Sequence, residues 1–152
     1  MTEKTKPVDK RWSSYPETVL HFPGDPPAMV DLRVPVESSI RNAFHALGLP
    51  GEFAVLTAFN PRGVDKSKEE NDRRMKELEA ELQSVGHSFV RLDACSPDKS
   101  HCECSVAIWT SLDQAIEIAK RWKQIAIFWW DLSSFWIYGA MSEANPIKLP
   151  VE

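Results

Sequence analysis

The chain has 152 residues, 43% of them hydrophobic and 26% charged, which suits one globular domain with a single core. A formal charge of −4 and a pI near 5.6 argue against general attraction to nucleic acid phosphates or anionic membranes, so an anionic ligand has to be held locally. No apolar run follows the basic N-terminal residues and none is long enough to span a membrane, so a cytoplasmic protein without a secretory signal is expected.

Residues 1–14 are polar and unpatterned, and are expected to form a flexible tail with Trp12 as its anchor. Lys4, Lys6, Lys10 and Arg11 beside Trp12 offer contacts to RNA or a partner, but the acidic remainder favours a solvated tail. "TVLHF" and "MVDLRV" flank the loop "PGDPPA" and read as a hairpin or two edge strands. Ile40, Phe44 and Leu47, followed by Gly48, predict a short amphipathic helix within 36–48.

"EFAVLTAF" is apolar on both faces, as an interior strand should be. Ser67 and Glu70 form a capping box ahead of a helix whose stripe is Met75, Leu78, Leu82 and Val85, ending at Gly86. "SFVRLDA" and "ECSVAIW" are strands around the turn "SPDKS". Ser111 and Gln114 open another helix, with Leu112, Ala115, Ile116, Ala119 and Trp122 facing inward.

"IAIFWWD" and "FWIYGA" form a hairpin around "LSS". Alternation sets Phe128 and Trp130 on one face and Ile127 and Trp129 on the other, so both faces need cover from helix 36–48 or from a second copy in a homodimer. Residues 141–152 read as an irregular tail. The element order predicts an α+β domain over 15–140, with 52–140 as its core. Its expected fold is a ferredoxin-like split βαβ sheet (βαββαβ plus one extra strand) with an N-terminal hairpin and short helix.

In that topology the strand after "SPDKS" is inserted antiparallel between its neighbours, which sets Asn60 beside "SHCECS". His101, Glu103 and Ser105 share one strand face, and Cys102 and Cys104 the other. Asn60 is grouped with Ala54 and Ala58, whose small side chains leave room. Asn71 and Arg74 lie one turn before Met75 and Leu78, close to the buried stripe. The expected corner thus contains Asn60, Ser67, Asn71, Arg74, His101, Glu103 and Ser105.

A helix N-terminus with an Arg nearby can hold a phosphate or carboxylate, and Glu103 with His101 can transfer protons. The matching reading is an anionic small molecule of the nucleotide or sugar phosphate class, with Arg74 on the anion and Asn60, Asn71, Ser67 and Ser105 around the ligand. Plainer duties stand beside these: Asn60 closing its own turn, and Arg74 paired with Glu103 to tie helix to sheet. Non-catalytic pairing through the aromatic sheet face is the alternative function.

Three cysteines, Cys95, Cys102 and Cys104, are expected to be reduced thiols. With no CxxC knuckle, neither a metal nor a cofactor is expected.

The chain resembles a bacterial family known as domain of unknown function 3293. The likeness rests on "LTAFNPRG", on "EEN" followed by "RR" and "LEAEL", on "SPDKSHCECSVAI", and on "AIFWWD" with "FWIYGA". It covers roughly residues 52–140 and implies no reaction, cofactor or partner. Asn60, Asn71, Arg74 and Glu103 take the polar motif positions, with Ser105 after Glu103. Cys102 and Cys104 depart from the pattern.

Overall fold

Period-two alternation gives this sheet two apolar faces, each of which has to be covered separately. The computed structural model describes residues 12–151. Among them eight strands form one sheet: β1 (Val19–Phe22), β2 (Ala28–Asp31), β3 (Phe53–Leu56), β4 (Phe89–Cys95), β5 (Cys102–Ile108), β6 (Ala126–Trp130), β7 (Phe135–Gly139) and β8 (Ile147–Lys148). Their order is β2-β1-β4-β5-β3-β6-β7-β8. Every neighbouring pair is antiparallel, and the sheet curls into a half-barrel.

This architecture overturns the expected ferredoxin-like sheet of about five strands. The N-terminal hairpin is not an appendage, because β1 pairs with β4 through Val19↔Cys95, Leu20↔Ala94 and His21↔Asp93. At the opposite edge β8 pairs with β7, within the segment expected to be irregular. The reason is edge satisfaction: β4 is seven residues long, and once β5 occupies one side its other row of backbone groups still needs partners. Periodicity marks each strand but does not say which distant strand will supply that pairing.

One face is covered by α2 (Lys68–Ser84) and α3 (Leu112–Arg121). The Ser67 hydroxyl accepts the Glu70 N–H at 3.1 Å, and the Ser111 hydroxyl accepts the Gln114 N–H at 3.2 Å, so both helices start where their capping residues predict. Met75, Leu78 and Leu82 of α2 and Ala115, Ile118 and Ala119 of α3 pack on Ala54, Leu56, Val106, Ile108, Ile127 and Trp129. Val85, expected in that stripe, is 62% exposed because α2 ends one residue earlier.

The other face is covered by α1 (Ile40–Ala46). The Phe44 ring centre lies 5.1 Å from that of Phe22, 5.0 Å from Phe53 and 5.3 Å from Trp130, mostly in edge-to-face geometry. Trp129 and Trp130, on opposite faces, are 6% and 2% exposed. Both are therefore covered within the chain itself. A 3-10 turn at Trp12–Glu17 sets Trp12 and Tyr15 against this second core, so residues 12–14 of the expected tail pack on the domain. Lys4, Lys6, Lys10 and Arg11 lie outside the described residues.

Candidate functional site: a cleft around Glu103

β3 ends at Leu56, and the chain then leaves the sheet through a tight loop. Asn60 has φ 47° and ψ 64°, a left-handed conformation that a short polar side chain adopts more readily than most. Arg62 is also left-handed, and its N–H donates to the Lys123 carbonyl at 2.6 Å, tying the loop to the end of α3.

Asn60 is the centre of a polar network. Its backbone N–H donates to Asn71 Oδ1 at 2.9 Å. Its own Oδ1 accepts from the Lys66 N–H at 2.9 Å and from Asn71 Nδ2 at 3.0 Å. Its Nδ2 donates to Glu103 Oε2 at 3.2 Å. Asn60 and Asn71 are both buried, where polar groups require such partners. The side chain therefore fixes the 60–66 loop and orients Glu103 in one arrangement.

β5 lies antiparallel between β3 and β4, which brings Glu103 to Asn60. Glu103 Oε2 is also 3.1 Å from His101 Nε2. The Glu103 side chain is 17% exposed and that of His101 58%, so a shielded carboxylate meets a wet imidazole. Ser105 is buried, and its hydroxyl donates to the Glu103 carbonyl at 3.2 Å.

These groups line a cleft of about 420 Å³ on the α1 side of the sheet. Val55, Ala94 and Phe128 form its apolar floor, with Tyr15 and Phe59 also lining it, while Asp65, Glu17 and Gln124 add polar wall. A second groove, of about 530 Å³, shares Phe59, Asn60, Asp65 and His101 with the cleft and runs past Lys66, Lys68 and Asn71 at the start of α2. Asn60 and His101 thus stand between two depressions.

Five of the seven expected residues gather here: Asn60, Asn71, His101, Glu103 and Ser105. The other two are elsewhere. Arg74 donates through Nε to the Ala58 carbonyl and through Nη2 to the Trp122 carbonyl, each at 2.6 Å, and its guanidinium lies 5.4 Å from the Trp122 ring centre. It locks α2 to the end of α3 on the far face of the sheet. Loss of hydration there pushes its pKa down. Ser67 caps α2 at the surface.

Ala54 and Ala58 also differ from expectation. Both are fully buried beneath the helices, so the open space lies on the opposite face beside Val55 and Thr57. The chain leaves the strand at Thr57, which breaks the alternation that grouped Asn60 with the alanines.

The cysteines require a correction as well. Cys95 and Cys102 are directly opposite in the β4–β5 register and form a disulfide, leaving Cys104 as the free thiol. The spacing of 102 and 104 along one strand carries no information on the register that sets 102 opposite 95 on the next. Gln124, Thr57 and Tyr15 were missed as site residues. Gln124 is buried and donates to the carbonyls of Phe59 and Trp122 at 3.0 and 3.2 Å, holding the cleft rim. Its one sequence signal is an amide just before the apolar run "IAIFWW".

Fold and site together define a class: an antiparallel α+β domain whose sheet is sealed on one face and opens on the other into a cleft with an apolar floor and a few polar groups. Residues 56–127 match the model of the family described as "Protein of unknown function (DUF3293)". All seven residues singled out from the sequence fall inside that stretch. No curated protein and no solved structure matches the chain. Among the described residues no helix is long and apolar enough to cross a membrane.

Proposed function

We propose that this is a cytoplasmic protein that binds a small molecule of the sugar phosphate or nucleotide class, with Glu103 at the centre of its site. The observation that carries this reading is the cleft itself. It combines an apolar floor with a few convergent polar groups, the usual composition of small-ligand sites. Glu103, held by Asn60, accepts hydrogen bonds from sugar hydroxyls or base amino groups, and Ser105 and Gln124 flank it. The anion lies toward the adjoining groove, where Lys66 is the cation offered to it, beside Asp65 and the Lys68–Asp72 ion pair. Arg74, engaged under the helices, is not part of this site.

Glu103 and His101 are the proton-transfer pair if the bound molecule is turned over by hydrolysis or proton abstraction. The alternative, a protein-pairing module or homodimer built on the aromatic strands, has less support because Trp129 and Trp130 are spent on the chain's own core. Thermal unfolding against a panel of sugar phosphates and nucleotides tests the proposal. A stabilising compound is expected to lose at least tenfold in affinity with Glu103→Gln and to keep its affinity with Arg74→Ala. A panel without a stabilising compound, or a hit indifferent to Glu103→Gln, overturns it.

A further inference from the structure

The Cys95–Cys102 bond closes the base of the turn 96–101, and that turn carries His101. Its two halves are unequal. Cys95 is buried against the cleft, whereas Cys102 is exposed and borders the groove at the start of α2. Across the turn the Ser96 N–H donates to the His101 carbonyl at 2.8 Å and the His101 N–H donates to the Ser96 hydroxyl at 3.1 Å. Both bonds lie just beyond the disulfide, and through them the position of the imidazole beside Glu103 is tied to the closed turn.

We propose that the Cys95–Cys102 disulfide is a thiol-exchange site for low-molecular-weight thiols, with Cys102 as the modified residue and the position of His101 as its output. The small thiolate attacks Cys102 Sγ, the accessible sulfur. A new S–S bond forms to Cys102 as the Cys95–Cys102 bond breaks, and Cys95 leaves as a thiolate that takes up the proton released by the attacking thiol. The mixed disulfide and the Cys95 thiol balance the exchange, and a second thiol molecule carries it to the free dithiol and an external disulfide.

Opening the bond returns conformational freedom to the turn, so His101 is no longer confined beside Glu103. Cys104 does not compete as the attacking group. Burial, ahead of the nearby Asp93 and Glu79 carboxylates, pushes its thiol pKa up and keeps it protonated. A bond reducible by cellular thiols also fits a cytoplasmic location, where permanent structural disulfides are rare.

Purified protein, denatured and alkylated without reductant, is expected to show one reactive thiol, at Cys104. Treatment with reduced glutathione should place a single adduct on Cys102 and speed amide hydrogen exchange at Ser96 and His101 at least tenfold. Exchange in α2 and α3 should not change. Cys104→Ser should respond as the wild type does, and Cys102→Ser should take no adduct and show the fast exchange at all times. Three free thiols before treatment, an adduct on Cys104, or unchanged exchange at Ser96 and His101 after the bond has opened overturns the proposal. None of these measurements uses the cleft ligand, so failure of the ligand assignment is read separately.

Discussion

The two faces of the sheet are built from the same kinds of residue and end differently. Under α2 and α3 the face is filled along its length, and Arg74 there is consumed by the Ala58 and Trp122 carbonyls. The opposite face has one short helix, α1, whose Phe44 seals the end near Phe53 and Trp130. Beyond the reach of α1 the same face opens at Val55 and Phe128 into the cleft. A polar residue beside a buried stripe is therefore ambiguous: where helices cover the strand ends it becomes a clamp, and where they do not it lines a site.

Removal of the aromatic seal breaks the comparison most severely. Phe44→Ala empties the space among Phe22, Phe53 and Trp130 and should cost about 3–5 kcal/mol in urea unfolding. A cost below about 1 kcal/mol would mean that the α1 face is not held by this ring. Arg74→Ala comes next, at about 2–4 kcal/mol, because two charge-assisted bonds disappear and the Ala58 carbonyl loses its donor, while that of Trp122 keeps the Gln124 amide. Arg74→Lys should recover little of it, since one ammonium cannot reproduce the guanidinium fork. If Arg74→Ala abolished ligand stabilisation at unchanged fold stability, the division between clamp and site would fail.

Asn60→Gly sharpens the contrast on the open side. Glycine adopts the left-handed backbone freely, so the substitution isolates the side-chain bonds to Lys66, Asn71 and Glu103. A loss of about 1–3 kcal/mol is expected in denaturant unfolding. Weaker ligand binding should accompany it, because Glu103 loses one of the groups that orient it. Retained stability and binding would reduce Asn60 to a turn former.

The smallest effect concerns acid. Hydrogen bonds from the Ser100 N–H, the Ser100 hydroxyl and the Ser96 hydroxyl lower Asp98, in the turn that carries His101, from the ordinary 3.8 to about 2. Because the folded value lies below the unfolded one, its contribution is present in full above about pH 4 and is lost as the pH falls toward 2. An NMR titration should show Asp98 and the Ser100 amide changing together near the lower value. A midpoint at the ordinary carboxylate value would show that these bonds do not hold in solution.

Much of this was legible in local pattern. Ser67 and Ser111 announced their helices through capping boxes, and Phe128, Ile127, Trp129 and Trp130 declared their faces by alternation. The nearness of Asn60 to Glu103 followed from an inserted antiparallel strand and is found at 3.2 Å. The role of Arg74 was not legible because helical spacing places a residue on a face without naming the carbonyls it will meet, and Trp122 is 48 residues away. Cys95 and Cys102 escaped for a related reason. Their pairing depends on β4–β5 register, which spacing along one strand does not encode.

Taken by itself, the sequence determined the segments, their ends and the two-sided character of the sheet, because capping, periodicity and turn chemistry act over a few residues. Tertiary structure decided that eight strands join in one curled sheet, that Arg74 is a clamp and that Cys95 meets Cys102. Those outcomes depend on which backbone edges and carbonyls become neighbours across long stretches of chain, and only packing selects among them. The cleft belongs to the same group: it lies where the short helix α1 stops and the strands it covers continue.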